Sequence, residues 1–354
     1  MSRVQQTNRF FMLLTAPVLG LLLCLLLFPP KPQLQLNTEP YKAASSLNSS
    51  SNQLLKDLDK AEANARSTSA SLKKTLTLYN ETTQTMSTIV QKASIQAQRP
   101  EGIYDKRIRS KLGNPIETTE SDKIRIELFR VNAVTYKGYA MKVKLKDPSA
   151  MRMSLAGETL GSSETTLKAV QRHGAVAGIN AGGFADQDGK RYPLSTTVMD
   201  GQYVMGFQSS FKDLYFVGLN DSGKLIGGQF NQQAELDRLQ PQFGASFVPI
   251  LLKNGQKTAI PSKWKAAPKR APRTIIGSYK DDQLIIFVID GYNEQGGSGA
   301  TLEEIQGQLY KIGVINAYNL DGGGSSTLVM NGRVVNHPSD GNLRPVPTNF
   351  LFFR

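Results

Sequence analysis

An uncharged, leucine-rich run at residues 10–28 constrains this chain more than any other sequence feature. These nineteen uncharged, mostly apolar residues are just long enough to span the hydrocarbon core of a bilayer as a helix. Arg3 and Arg9 precede the run, so the positive-inside rule keeps residues 1–9 in the cytoplasm and exports everything that follows. Because no small-residue cleavage site follows the run, the pattern predicts a single-pass signal anchor in the cell membrane rather than a cleaved signal peptide.

The cysteine and histidine counts exclude several classes of site. Cys24 is the only cysteine, and His173 and His337 are the only histidines among 354 residues. These counts exclude an intrachain disulfide framework, a cysteine-based zinc site and a centre built from several imidazoles. A metal ion would need oxygen ligands, as Ca²⁺ does, and the sequence assigns neither a metal nor a cofactor.

Basic residues outnumber acidic ones, 42 to 29, and the net charge is +13. Such an excess favours either solubility beside an anionic cell envelope or attraction to an anionic polymer. Residues 253–273 include seven basic residues, no acidic residue and the only tryptophan, Trp264. They form either a solvated loop or a platform for an anionic glycopolymer. Since the expected topology exports this segment, nucleic acid is not an expected partner.

Residues 29–98 predict a polar helical stalk. The segment is rich in Ser, Thr, Gln, Asn, Lys and Ala, a composition that cannot build its own core. A seven-residue repeat nevertheless runs through it, at Leu58, Ala65, Leu72, Tyr79 and Met86. Threonines interrupt the adjoining seam, so the stalk is either a solvated spacer or a weak coiled coil that would make a homo-oligomer.

The remaining chain is predicted to be a linker followed by a globular domain. Residues 99–122 carry Arg-Pro, Gly-Asn-Pro and mixed charges, which are typical of a linker. From residue 123 to residue 354 short β-branched runs predict strands. These runs are 124–129, 139–143, 215–219, 274–278 and 284–289. Asp-Gly or Asn-Gly pairs at 200, 254 and 331 predict hairpin turns, and therefore antiparallel strands.

Two helices interrupt the strands. One begins at Thr301, whose capping box with Glu304 precedes an apolar face, and the other begins near 163–166 and ends at about His173. Each is followed by a short strand and a glycine-rich loop, which is compatible with an internal duplication. The predicted fold class is α+β, with a mixed, largely antiparallel sheet and a few covering helices.

The segment 319–327 (NLDGGGSST) is the strongest local signal for a functional site. Three glycines after a strand let main-chain N–H groups approach a ligand closely. Asp321 and the hydroxyls that follow offer acceptors for sugar hydroxyls or a metal. Because no lysine follows the glycines, the segment is not a P-loop. The alternative is a tight hairpin without a ligand.

Together these motifs resemble the phosphodiester glycosidase family over about residues 123–354. In chain order they are PRT at 272–274 with Gly277, DG at 290–291, TLEEI at 301–305, NLDGGGSS at 319–326 and Arg344, and segment 180–184 resembles the upstream motif of that family. The resemblance implies hydrolysis of a sugar-1-phosphodiester, and bacterial relatives are commonly linked to exopolysaccharide or cell-surface functions. One departure is Tyr292, where relatives often carry a basic residue; if that position contacts phosphate, the substrate differs.

The expected function is therefore a membrane-anchored, extracytoplasmic phosphodiester glycosidase acting on a cell-envelope glycopolymer or exopolysaccharide. A phosphate leaving group needs little protonation, so a carboxylate that activates water and arginines that hold the phosphate would suffice. The candidate catalytic residues are Asp290, Asp321 and Glu304. For Glu304, the structural capping role is favoured over a catalytic one. The candidate substrate-binding or loop-shaping residues are Asn180, Gly182, Gly183, Arg273, Asn319, Gly322, Gly323, Ser325, His337 and Arg344. The alternative function is a non-catalytic envelope protein that binds anionic glycopolymer during its assembly.

Overall fold

The computed structural model describes residues 3–28, 44–211, 213–291, 299–339 and 341–354. It divides into two compact units, Met1–Gln91 and Lys92–Arg354. The first helix, α1, spans Arg3–Leu27. Its segment Asn8–Leu27 has a mean hydropathy of 2.6, so its length and composition would allow it to cross a membrane, and they also fit a signal sequence.

The long polar helix predicted after the apolar run is confirmed as α2, which spans Ala44–Leu112. Residues 29–43 of the expected stalk lie outside the described part of the chain. Threonine hydroxyls along the helix donate to the carbonyl four residues earlier, as Thr75 does to Ser71 at 2.9 Å. The apolar side chains of the seven-residue repeat, such as Leu72 and Tyr79, are exposed in the single chain.

Residues 99–122 differ from the expected linker. Helix α2 continues to Leu112, and a strand follows at Glu117–Glu120. Tyr104, Ile108 and Leu112 lie four residues apart on one face of the helix and pack against the core of the second unit. The helix continues because this packing stabilises it, and the sequence of the segment alone does not show the partner surface.

The described residues of the second unit contain four further α-helices and twenty strands. The helices are α3 (Thr166–His173), α4 (Gln233–Asp237), α5 (Ser262–Ala266) and α6 (Leu302–Ile312). The strands are β1 (Glu117–Glu120), β2 (Ile124–Asn132), β3 (Lys137–Leu145), β4 (Met151–Leu155), β5 (Ala177–Asn180), β6 (Phe184–Gln187), β7 (Lys190–Pro193), β8 (Val198–Met199), β9 (Gln202–Tyr203), β10 (Tyr215–Asn220), β11 (Leu225–Gly228), β12 (Pro241–Phe247), β13 (Ile250–Lys253), β14 (Gln256–Lys257), β15 (Arg273–Ser278), β16 (Leu284–Ile289), β17 (Asn316–Asn319), β18 (Leu328–Met330), β19 (Arg333–Val334) and β20 (Thr348–Phe352).

The strands form one large sheet, two smaller sheets and a separate hairpin. The order in the eight-stranded sheet is β1-β2-β3-β16-β15-β17-β13-β14. The five-stranded sheets have the orders β11-β10-β12-β8-β9 and β19-β18-β5-β20-β4, and β6 pairs with β7 alone. Neighbouring strands run antiparallel, for example β15 with both β16 and β17. The predicted α+β fold class is therefore confirmed.

Both faces of the large sheet are buried, which explains why β16 is apolar throughout (LIIFVI). Leu284, Ile286 and Val288 face the core shared with the two five-stranded sheets. The alternate residues, such as Phe287, face a second core that α6 and the end of α2 cover. Because successive side chains of a strand point to opposite faces of the sheet, this one strand contributes to both cores.

The predicted hairpin turns and the Thr301 helix are confirmed. The residue pairs beginning at Asp200, Asn254 and Asn331 have positive φ at both positions, as tight hairpins require. Thr301 caps α6 by accepting a hydrogen bond from the main-chain N–H of Glu304. Helices α3 and α6 both end at a left-handed glycine, and each is followed by a short strand, β5 or β17.

Candidate functional site

The loops that follow β5 and β17 lie side by side. The main-chain N–H of Asp321, after β17, donates to the carbonyl of Ala181, after β5, at 3.1 Å. The side-chain amide of Asn180 donates to the carbonyl of Asp321 at 2.6 Å. The two glycine-rich segments found in the sequence therefore meet at one place.

Asn180 is a fully buried residue whose polar atoms are used within the protein. Its Oδ1 accepts hydrogen bonds from the hydroxyl of Thr274 at 2.8 Å and from the main-chain N–H of Thr327 at 3.1 Å. The side chain thus ties β5 to β15 and to the glycine loop. This arrangement supports a loop-shaping role for Asn180.

Asp321 combines burial with an unused acceptor. Its Oδ1 accepts from the N–H of Gly322 at 3.0 Å, and its buried Oδ2 makes no hydrogen bond of normal geometry with the described residues, although the hydroxyl of Ser325 lies close to the carboxylate. Burial raises the pKa of this carboxyl to about 6, while the hydroxyl of Ser325, the N–H of Gly322 and the charges of Arg344 and Arg191 act in the opposite direction. A carboxyl with such a pKa exchanges protons near neutral pH.

Asp290 follows β16 and is fastened to the segment around His337. Its Oδ1 accepts from the main-chain N–H of His337 at 2.8 Å, and its own N–H donates to the carbonyl of Lys137 at 2.9 Å. Burial raises the pKa of Asp290, and the hydrogen bond from His337 opposes that rise. The His337 side chain is 79% exposed and its Nδ1 lies 4.0 Å from Asp290 Oδ2, so the main-chain hydrogen bond is the closer of the two contacts.

The two aspartates lie at the same end of the large sheet. Strands β16 and β17 flank β15, with Ile289 opposite Arg273 and Asn319 opposite Ile275. The backbones of two strands that flank a third are about 10 Å apart, twice the usual spacing between neighbours. The carboxylates therefore lie on either side of the start of β15.

Arg273, at the start of β15, is 6% exposed. Its guanidinium donates to the carbonyl of Pro268 at 2.9 Å and to the carbonyl of Ala300 at 3.4 Å. Burial lowers the pKa of Arg273 to about 10, and Glu303 partly opposes that shift. No carboxylate lies within ion-pair distance of Arg273 in the part of the chain that the structure describes. A bound anion would supply the missing negative charge.

Arg191, which is not among the residues predicted from the sequence, contributes positive charge near Asp321. Arg191 lies on the hairpin of β6 and β7, directly opposite Asp186. The signal for this position was available, because an Asp-Gly turn at 188–189 predicts that Asp186 and Arg191 pair across the hairpin. Tyr292, the departure from the family pattern, lies outside the described residues.

The glycine loop differs from the expected cradle of free N–H groups. The N–H groups of five loop residues donate within the protein: Gly322 to Asp321, Gly323 to Pro272, Ser325 to Gly322, Ser326 to Gly323 and Thr327 to Asn180. Only Gly323 among the site glycines proposed from the sequence has a positive φ, at 60°. These five amides shape the loop, so they are not free to cradle a phosphate.

The other glycines permit close packing. A Cβ on Gly182 would lie 2.6 Å from the Cβ of Ala245, and one on Gly183 would lie 2.7 Å from the ring of Phe247. A Cβ on Gly322 would lie 3.0 Å from the carbonyl oxygen of Pro272. The structure thus accounts for these glycines by chain packing rather than by ligand approach.

Several oxygen atoms near Asp321 have no partner. Asn319 donates through Nδ2 to the carbonyl of Val248 at 2.6 Å, while its Oδ1 and the hydroxyls of Ser325 and Ser326 are buried without partners among the described residues. No group of three or more His, Cys, Asp or Glu side chains is arranged to hold a metal ion in that part of the chain. A cation at Asp321 would therefore depend on hydroxyl and amide oxygens.

Hydrogen-bond donors from the protein surround the carboxylate of Glu304. Its Oε2 accepts from the N–H of Thr301 at 2.8 Å, and its Oε1 accepts from Arg270 at 2.9 Å and from Thr135 at 2.6 Å. Burial opposes ionisation, but these donors prevail and lower the pKa of Glu304 to about 2. Both oxygens are occupied, which supports the capping role over a catalytic one.

The basic segment at 253–273 is partly neutralised by carboxylates elsewhere in the chain. Lys263 pairs with Asp213 at 2.8 Å, Trp264 donates to the same Asp213, and Lys265 lies 3.7 Å from Glu303. Trp264 also packs against the core that α6 covers. These contacts favour the solvated-loop interpretation over the glycopolymer platform.

Comparisons with known proteins identify relatives of this chain. A family model described as phosphodiester glycosidase matches residues 173–353, just over half of the chain. The N-acetylglucosamine-1-phosphodiester alpha-N-acetylglucosaminidase of Mus musculus is 32% identical over 163 residues, which are 42% of this chain and 30% of the mouse protein. The SPbeta prophage-derived uncharacterized protein YomE of Bacillus subtilis is 30% identical over 190 residues, 52% of this chain and 28% of YomE. The match spans about a third or less of these relatives' length.

A solved structure is similar in fold. The catalytic domain of the zebrafish N-acetylglucosamine-1-phosphodiester alpha-N-acetylglucosaminidase, auto-inhibited by its pro-peptide, superposes with a TM-score of 0.56 at 22% identity. The match covers 67% of this chain and 88% of the zebrafish chain. The family model and the shared fold agree with the order of motifs from Asn180 to Arg344, and this chain belongs to the phosphodiester glycosidase family.

Proposed function

We propose that this protein is a membrane-anchored, extracytoplasmic phosphodiester glycosidase that hydrolyses sugar-1-phosphodiester linkages in a cell-envelope glycopolymer or exopolysaccharide. The main support is the pair of half-buried carboxylates, Asp290 and Asp321, at one end of the large sheet with arginines nearby. Helix α1 supports the anchor, and the net charge of +13 supports an anionic substrate.

The proposed reaction cleaves the bond between the anomeric carbon and the phosphate oxygen. Phosphate is a good leaving group that needs little protonation, so the enzyme has to stabilise an oxocarbenium-like centre and deliver water. Asp321 suits a general base, because a carboxyl with a pKa of about 6 is ionised at neutral pH and still accepts a proton effectively. Asp290, across β15, would face the same substrate and stabilise the positive centre.

The departing phosphate would be held by Arg344 and Arg273. The charge of Arg344 acts on Asp321, which means that a phosphate bound there would lie next to the base. Arg273 is buried beside Gly322, and a bound phosphate would offset its desolvated charge.

The test is turnover by the full chain purified in detergent. The protein is incubated with a panel of sugar-1-phosphodiesters and wall glycopolymers, with and without chelator, and released sugar and phosphomonoester are assayed. We expect release that Asp321→Asn abolishes and that Asp221→Asn, a change in an exposed turn, leaves intact. Saturable binding of one polymer without release would instead favour the non-catalytic envelope protein. Loss of activity with chelator would add a divalent cation such as Ca²⁺ to the site.

The stalk would act as a spacer between membrane and site. The seven-residue repeat of exposed side chains in α2 supports self-association through this helix. Sedimentation of the full chain in detergent measures its mass directly. A dimer or larger assembly that Leu72→Glu dissociates would support a coiled coil, and a monomer at every concentration would contradict it.

A further inference from the structure

The hairpin of β6 and β7 follows directly from the loop after β5. It pairs with neither five-stranded sheet, and its residues are mostly exposed. Its first residue, Phe184, comes three residues after Ala181, whose carbonyl binds the main chain of Asp321. The hairpin therefore begins close to the candidate base.

Arg191 is the best-anchored cation on this hairpin. Its Nε donates to Asp186 Oδ1 at 2.7 Å, and its Nη2 donates to Asp186 Oδ2 at 2.9 Å. Its guanidinium carbon lies 4.1 Å from the centre of the Phe184 ring, and its Nη1 donates to the carbonyl of Pro345. A guanidinium held by a carboxylate, a ring and a carbonyl loses little freedom when it binds an anion.

The contact with Pro345 brings Arg191 to the segment that carries Arg344. Three of the five N–H groups of Arg191 donate to described residues, so the guanidinium keeps donor capacity. Arg273, by comparison, directs its guanidinium to the carbonyls of Pro268 and Ala300. Arg191 thus lies at the segment that carries Arg344, and the charges of both cations act on Asp321.

We propose that Arg191 is a phosphate-binding residue that, together with Arg344, holds the phosphate group of a sugar-1-phosphodiester, and that the hairpin of β6 and β7 forms one wall of the phosphate subsite. The proposal rests on the proposed function. The charges of Arg191 and Arg344 both lower the pKa of Asp321, which agrees with their closeness to the base. Asp186 positions Arg191 and does not touch the substrate.

A purely structural role makes different predictions. If Arg191 only fastens the hairpin to the segment around Pro345, its loss lowers the melting temperature and kcat but leaves the affinity for phosphate unchanged. If Arg191 binds phosphate, its loss acts on KM for the phosphodiester and on the affinity for inorganic phosphate. Lysine at this position keeps the charge but loses the two-pronged donor geometry, so it should restore only part of the affinity.

The test compares the full chain with Arg191→Ala, Arg191→Lys and, as a matched control on the same hairpin, Lys190→Ala. Calorimetric titration with inorganic phosphate measures binding without turnover, and steady-state kinetics on a sugar-1-phosphodiester measures kcat and KM. We expect Arg191→Ala to weaken phosphate binding and raise KM by about 10-fold each, with kcat changed by less than about 3-fold. Lysine should recover part of both losses, and Lys190→Ala should match the wild type.

The proposal is overturned if the wild type does not bind inorganic phosphate, or if Arg191→Ala binds it as the wild type does. A fall in kcat with an unchanged KM would also overturn it in favour of the structural role. Failure of the wild type to hydrolyse any phosphodiester would contradict the proposed function instead, and the phosphate titration would still decide the role of Arg191.

Discussion

The side-chain amide of Asn180 donates a 2.6 Å hydrogen bond to the carbonyl oxygen of Asp321, a residue 141 positions later in the chain. The same side chain accepts from Thr274 and Thr327. One buried amide therefore joins the end of β5, the large sheet and the glycine loop. The position of the candidate base depends on a residue in the neighbouring sheet.

We expect Asn180→Ala to lower the free energy of unfolding by about 2–4 kcal/mol, because it leaves a hydroxyl, an N–H and a carbonyl without their buried partner. Activity should fall with it, since the Asp321 loop loses a tether. Urea unfolding of the variant measures the stability. Thr274→Val removes one of the three hydrogen bonds and should cost about 1 kcal/mol. Equal losses for the two variants would contradict the role of Asn180 as the shared tether.

Replacement of Asp321 should stabilise the protein while abolishing activity. The pKa of this carboxyl is raised from 3.8 to about 6, so the fold favours the protonated form. The wild type therefore loses stability as pH rises from about 4 to above 6, by up to about 3 kcal/mol. Asp321→Asn avoids the cost of a buried charge. The variant should unfold at higher urea than the wild type at pH 8 and at a similar concentration at pH 4.

The same pKa predicts the pH dependence of the reaction. If ionised Asp321 is the base, kcat should rise with pH through about 6 and then level off. Arg191→Ala removes a nearby positive charge, which should move that rise to higher pH. A rate that falls as pH increases through 6 would instead assign Asp321 as the proton donor.

Asp290 and His337 should differ sharply when substituted. The carboxylate of Asp290 is held by the main-chain N–H of His337, which His337→Ala retains. We therefore expect His337→Ala to keep activity within about 2-fold and Asp290→Asn to reduce kcat by about 100-fold or more. A large loss on His337→Ala would show that the exposed imidazole takes part in the reaction.

The end of α2 should prove to be an integral part of the glycosidase-like unit. Lys142 is 2% exposed and lies 2.9 Å from Glu127 and 2.5 Å from Asp105, which belongs to α2. Lys142→Met removes one cation from this cluster, while Arg109 still pairs with both carboxylates and Arg125 with Glu127, so it should cost about 2–3 kcal/mol at pH 7. Burial raises the pKa values of Asp105 and Glu127, but their basic partners lower them by more, so the net shift is downward. The loss should therefore shrink as pH falls below about 4. Urea unfolding at both pH values checks this.

Local patterns in the sequence predicted much of the fold. The bounds of the strand at 284–289 were correct because the run is short, rich in β-branched residues and bounded by turns, which is typical of a strand buried on both faces. The Asn-Gly turns and the Thr301 cap were correct because each depends on the chemistry of two to four neighbouring residues.

Features that depend on distant partners were not predicted. The continuation of α2 to Leu112 depends on the surface that buries Ile108, and sequence patterns do not show that surface. Asp290 and Asp321 could be nominated as carboxylates at strand ends. Their placement on either side of β15 required the strand order, which the sequence does not reveal. The Asp-Gly turn at 188–189 predicts that Arg191 pairs with Asp186, but not that it contacts Pro345, which lies 154 residues away.

The most direct test of the central claim follows oxygen during hydrolysis. The full chain is incubated with a sugar-1-phosphodiester in water enriched in ¹⁸O, and both products are analysed by mass spectrometry. A glycosidase breaks the bond between carbon and oxygen, so the label should appear in the anomeric hydroxyl of the released sugar and the phosphomonoester should stay unlabelled. Label in the phosphomonoester would show attack at phosphorus and would contradict the assignment of Asp321 and Asp290 to glycoside hydrolysis.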